Sequence, residues 1–286
     1  DRAYLAAKNC KGKFVQSIAY YDESMIEDMR QEQFVINAVN KAIEEEQFVV
    51  YLQPKINLIT GKPYGAEALV RWMHPTRGMI APAEFIPVYE RNGIIGRLDQ
   101  YMWRKVCALL RKWIDEGKEP DPISVNVSRV NIYNPHLVEI LNKIIIEYRI
   151  PPQLLNLEIT ESAFMEDQSL VMRTVKRLHD LGFKIMMDDF GSGYSNIRAI
   201  GALEFDVVKM DKKFLDNGFP DNKKDYVLIK GLIDVFHDMG ISVVCEGVED
   251  ERQKNALKEL GADLIQGYFY SKPVSVNEFS EWIEAY

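Results

Sequence analysis

Cysteine is scarce. Three in 286 residues (Cys10, Cys107 and Cys245) cannot make a disulfide scaffold, and they point to a reducing compartment, the cytoplasm. Histidine is nearly as rare. His74, His136, His179 and His237 fall in loops or helices of the pattern below, which argues against a histidine-rich zinc centre. No apolar run approaches the roughly 18 residues that span a bilayer, and no signal peptide opens the chain, so no membrane contact is expected from this segment. Basic charge is in deficit: 35 Lys and Arg against 43 Asp and Glu leave −8, a poor match for a nucleic-acid polymer. The Gly-rich phosphate turn of an open doubly wound sheet is missing, because the glycines at 191 and 193 have the wrong spacing and follow two aspartates. What is present is ordinary for a globular protein. Hydrophobic residues make up 47% and charged residues 27%, in a chain long enough for a sizeable core.

Short apolar runs alternate with longer helical patterns. Strands are expected at residues 48–54, 64–70, 122–127, 154–160, 184–188, 205–209, 241–246 and 264–268. Helices are expected at 29–46, 98–116, 135–148, 167–181, 223–239, 250–260 and 276–285, with Gly182, Gly240 and Gly261 as helix stops. Strands alternating with helices imply parallel pairing, and eight of them imply a closed (β/α) barrel. Ahead of this, the first residues read as a helix end, a turn at Lys11-Gly12 and an apolar strand from Phe14 to Tyr21. That is too little to bury a core. The expectation is a remnant of an upstream domain with its linker over residues 1–27, then the main domain over 28–286; a native N-terminal arm is the alternative.

Polar residues gather where strands end. The eight strands close in turn on Gln53, Glu67 with Arg71, Asn126, Glu158 with Glu161, Asp188-Asp189, Lys209 with Asp211, Glu246 with Glu249, and Gln266. Carboxylates converging at the C-terminal rim of a barrel, where such enzymes keep their active sites, repel one another without a cation. Glu67, Asn126, Glu158, Asp188 and Asp189 offer only oxygen, which suits Mg²⁺, Mn²⁺ or Ca²⁺. Consecutive aspartates cannot point the same way from a regular strand, but at a strand end they can serve two ions. A pair of ions ~3.5–4 Å apart suits in-line attack on a phosphodiester. Lys209 reads as a group that orients or deprotonates water, or else as a structural partner for Glu158 or Asp188. Arg71 reads as a phosphate fork or a surface ion pair, Trp72 as a base-stacking face or as packing under the rim, and Cys245 as core.

In order along the chain stand QP at 53–54, EALVRW at 67–72, NVS at 126–128, EITE at 158–161, DDFGSGYSN at 188–196, VKMD at 208–211, CEGVE at 245–249 and QGYFYSKP at 266–273. These motifs resemble the EAL family of bacterial cyclic-di-GMP phosphodiesterases over about residues 29–286. DRAYLAAKNCKGKF at the start resembles the end of a GGDEF domain. The resemblance implies a modified (β/α)8 TIM-type barrel whose first strand is antiparallel. It also implies two Mg²⁺ or Mn²⁺ ions, hydrolysis of cyclic-di-GMP to linear pGpG, and a homodimer. Carried over by position, it gives Glu67, Asn126, Glu158 and Asp188 to the first metal, and Asp188 and Asp189 to the second with Glu246 helping. Lys209 positions the nucleophilic water, Gln266 lies at the same site, and Gln53 and Arg71 contact substrate. Glu161 anchors the loop after Asp189, while Asp211 and Glu249 support from behind. Ser192 and Asn196 depart mildly from the family's usual Thr and Ser. A non-hydrolytic cyclic-di-GMP receptor is the alternative, and a phosphodiesterase for a different nucleotide a third reading.

Overall fold

The computed structural model describes residues 20–192, 204–216 and 218–286. The expected strand from Phe14 to Tyr21 lies outside the described residues except for Tyr20 and Tyr21, which belong to no strand; Gly193 and Asn196 also lie outside. The chain divides into two compact units, Asp1–Val49 with Arg71–Ile94, and Val50–Val70 with Ile95–Tyr286.

The second unit is a barrel. Its strands are β1 (Phe48–Asn57) and β2 (Pro63–His74), both of which also run into the first unit, where β3 (Gly78–Ile80) pairs with β2. Then come β4 (Ile123–Asn126), β5 (Leu155–Thr160), β6 (Ile185–Phe190), β7 (Val207–Met210), β8 (Ser242–Cys245), β9 (Leu264–Ile265) and β10 (Val274–Ser275). The pairing order β1-β9-β8-β7-β6-β5-β4-β2 closes through β1 and β2, with β10 outside on β1. From β2 through β4 to β9 every pairing is parallel, whereas β1 meets β9 antiparallel, at Ile56 with Ile265 and Asn57 with Leu264. The expected modified barrel with its reversed first strand is therefore observed.

Local chemistry explains the elements. Strands β4 to β8 are buried over most of their length because they are covered on both faces. Helices start on acceptors: Asp167 Oδ1 takes the Leu170 N–H and Asp250 Oδ1 the Gln253 N–H. Gly182, Gly240 and Gly261 end helices with φ of 91°, 75° and 88°, as the sequence led us to expect. Two histidines act as stitches. His179 Nε2 meets Asp206 Oδ2 at 2.9 Å, and that oxygen also accepts the Ile185 N–H; His237 and Asp263 repeat the arrangement at 2.8 Å with the Val243 N–H. His74, expected in a loop or helix, closes β2 instead.

The first unit holds the helix Ser24–Glu44, the outer ends of β1 and β2, β3, and the helix Pro82–Arg91. Trp72 is fully buried there, stacked on Phe34 and tilted against Phe48, with its Nε1 donating to Gln47 Oε1 at 2.9 Å. Of its two readings, packing is the one observed. No described helix is long and apolar enough to cross a membrane.

Candidate active site

Strands β2, β5, β6, β7, β8 and β9 each bring a polar side chain to one site, from the strand or just past its end, and apart from Arg71 the side chains below belong to the second unit. Lys209 on β7 is the hub. Its Nζ lies 3.1 Å from Glu67 Oε2, 2.8 Å from Glu158 Oε2, 2.8 Å from Asp188 Oδ1 and 2.8 Å from Glu246 Oε1. The lysine side chain is 1% exposed, so these are low-dielectric contacts. Glu67 Oε2 also accepts from Gln266 Nε2 at 2.7 Å, and the same amide donates to Gln53 Oε1 at 3.0 Å. Gln53 in turn donates to the Ser271 carbonyl at 3.1 Å.

A second buried lysine went unread in the sequence. Lys55 on β1 reaches Ser124 Oγ at 2.5 Å and Glu158 Oε1 at 3.2 Å. The signal was alternation: Gln53 and Lys55 are two apart, hence on one face of β1.

Asp189 departs from regular strand geometry. Its φ is 56°, and the β6–β7 register shifts between Met187 and Phe190. This irregularity lets consecutive aspartates face one space, as expected for a strand end. One oxygen each from Asp188, Asp189 and Glu246 lies within 4.8 Å of the others. Beyond the bulge, Glu161 Oε2 accepts the Gly191 N–H at 2.8 Å. Asp211 caps the turn Lys212–Phe214 through the Lys213 N–H, and its charge bears on Asp189. Asn126, exposed, ends β4 as the register partner of Glu158. Glu249 is exposed, with its backbone N–H donating to Gln253 Oε1. Arg71 is half-buried on β2, four residues past Glu67, and belongs to the first unit. Gly267 is held tightly: a Cβ there would stand 2.1 Å from the Val248 carbonyl oxygen.

Five carboxylates (Glu67, Glu158, Asp188, Asp189, Glu246) thus face two lysines. Burial, then repulsion from Glu158, raises the Glu67 carboxyl. Burial likewise raises Asp188 and Asp189, and pushes Glu246 up to about 8. Glu158 is the exception: burial alone would raise it, but Lys209 and Lys55 overcome that and bring it down to about 2. The four carboxylates hold Lys209 well above the usual lysine range against its burial. Asp188 Oδ1 is buried and ion-paired with Lys209 at 2.8 Å. Excess negative charge and oxygen-only donors fit divalent cations such as Mg²⁺ or Mn²⁺. Cys107 and Cys245 are free, buried thiols, both pushed up to about 12 by burial.

Residues 36–273 match the EAL domain family. This chain belongs to that family. Its EAL domain is 34% identical over 266 residues to an uncharacterized signaling protein of Caulobacter vibrioides, covering 93% of this chain and 32% of the relative. It is 30% identical to the cyclic di-GMP phosphodiesterase NbdA of Pseudomonas aeruginosa, covering 99% of this chain and 36% of that protein. The chain therefore spans about a third of the length of these curated relatives. Among solved structures, the PaMucR phosphodiesterase in complex with c-di-GMP superposes with a TM-score of 0.80 at 30% identity, over 86% of this chain and 99% of that one. An EAL domain protein from Listeria monocytogenes follows this EAL domain at 28% identity and a TM-score of 0.75, over 88% and 98% of the two chains.

Proposed function

We propose that this EAL domain hydrolyses cyclic-di-GMP to linear pGpG with two divalent ions, Mg²⁺ or Mn²⁺. The observation that carries the reading is the meeting of Asp188, Asp189 and Glu246 oxygens within 4.8 Å beside a buried lysine. The c-di-GMP bound in PaMucR supports the substrate.

Glu67, Asn126, Glu158 and Asp188 would hold one ion, and Asp188 with Asp189 the other, Glu246 helping. Ions held there would supply positive charge against the phosphate and lower the pKa of bound water. The chain's residues do the rest. Lys209 orients Glu67, Glu158, Asp188 and Glu246 and positions the attacking water by charge and hydrogen bonding. Gln266 Oε1 is buried and finds no donor among the described residues, which lets it accept an N–H or O–H from what binds above it, while its Nε2 stays tied to Gln53 and Glu67. Gln53 and Arg71 contact substrate, Arg71 forking onto phosphate. Glu161 fixes the turn after Asp189 through the Gly191 N–H; Asp211 and Glu249 support from behind.

The same reading includes a homodimer, which exposed Val227, Leu228 and Val235 along the helix Lys223–Asp238 support. It also takes residues 1–27 as the end of a GGDEF domain and the cytoplasm as the location. The test is incubation of the purified protein with cyclic-di-GMP, with Mg²⁺ or with EDTA, followed by chromatography. The expected result is pGpG in the Mg²⁺ sample alone. Tight binding of cyclic-di-GMP without product in either sample would make the domain a receptor.

A further inference from the structure

Lys55 has no place in the ligand set above, yet it is almost as deeply buried as Lys209. Its side chain is 4% exposed and that of Glu158 is fully buried. An ammonium group so placed needs partners for its three protons. It has Ser124 Oγ at 2.5 Å, Glu158 Oε1 at 3.2 Å and, weakly, Met186 Sδ at 3.8 Å. Ser124 is itself fixed, its Oγ donating to the Ala66 carbonyl at 3.3 Å. Glu158 is thereby held at both oxygens, Oε1 by Lys55 and Oε2 by Lys209. That double hold fixes the plane of the carboxylate.

We propose that Lys55 is a positioning residue: the inner counter-ion of Glu158, which leaves Lys209 available to Glu67, Asp188 and Glu246. The inference rests on the metal-dependent reading of the mouth. Glu158 is the most enclosed of the five carboxylates. Without Lys55, Lys209 is the only cation among the described residues left to Glu158, and is drawn towards it, away from Asp188 and Glu246. The mouth then loses its geometry, and the metal-free protein carries one more uncompensated buried charge.

Two measurements on the whole chain test this. Lys55→Met should lower kcat for cyclic-di-GMP at least tenfold while KM changes less than about twofold, because Lys55 acts through Glu158 and not on substrate. It should also lower Tm more in EDTA than in Mg²⁺, so the Tm rise on adding Mg²⁺ exceeds that of the wild type. Ser124→Ala, which keeps the charge and removes one partner, should move both readouts the same way by less. Wild-type kcat in Lys55→Met, or an equal loss of Tm with and without Mg²⁺, overturns the proposal. If Lys55→Met does not fold, Ser124→Ala decides it on the same criteria. If the wild type makes no pGpG, the functional reading fails by itself, and the difference between the EDTA and Mg²⁺ melting shifts still decides the role of Lys55.

Discussion

Asp188 and Asp189 are sequence neighbours that bring oxygens together with one from Glu246, because Asp189 adopts a φ of 56° where β6 breaks register. Short polar residues tolerate that backbone far better than branched ones. Asp189→Asn should therefore leave the fold intact while lowering Mn²⁺ affinity at least tenfold in a calorimetric titration. Asp189→Val should in addition cost about 1–3 kcal/mol of stability.

Glu67 is costly to the metal-free protein, since burial and Glu158 both oppose its charge. Glu67→Gln keeps an acceptor for Lys209 and Gln266 and removes the repulsion. Tm in EDTA should equal or exceed that of the wild type, while turnover falls by two orders of magnitude or more. Melting curves and product chromatography on the same sample check both halves.

The raised carboxyls make stability depend on pH. Glu246 reaches about 8 in the folded, metal-free chain against 4.5 ordinarily, and Glu67, Asp188 and Asp189 move in the same direction. Between those values the folded state holds more protons than the unfolded one, so stability is present at low pH and lost as pH rises towards 8. Glu158, brought down to about 2, is ionised throughout this window and adds no slope. Tm in EDTA should fall from pH 5.5 to 8.5. One pH unit of a single proton is about 1.4 kcal/mol, or roughly 2–4 °C for a domain of this size. Mg²⁺ should raise Tm most at the alkaline end, and its binding should release protons, read as a buffer-dependent heat in calorimetry.

Glu161 and Gly191 fix the turn that follows the paired aspartates. Glu161→Ala leaves the Gly191 N–H without its charged acceptor, at a cost of about 1–3 kcal/mol. Turnover should fall at least tenfold, and Mn²⁺ affinity should fall with it. A titration that matches the wild type would separate the turn from the metal site.

Much of this was legible in the sequence because parallel strands deliver their C-terminal residues to one rim. Glu158, Asp188, Lys209, Glu246 and Gln266 obey that rule, Glu67 lies within the longer β2, and the structure brings the six together. Lys55 escaped because β1 runs against β9, so the strand-end rule that locates the other site residues does not apply to it. The helix Pro82–Arg91 escaped for another reason. Its two prolines weaken a helical pattern, but Pro82 occupies the first turn, where its missing N–H costs nothing, and Glu84 accepts the Ala81 N–H at 3.1 Å. The ion-pair reading of Lys209 and its reading as a cation at the mouth are not rivals, since one set of contacts satisfies both.

The pairing of β1 has a consequence for folding fidelity. Its pleat repeats every two residues, so sliding the strand by two keeps each side chain on its proper face and leaves the apolar pattern undisturbed. Such a slide would set Gln53 or Asn57, an amide, opposite Glu158. The match of Tyr51 with Ser275 and of Ile56 with Ile265 is thus proofread by electrostatics, with a single ammonium group marking the correct alignment of the barrel's one reversed stave.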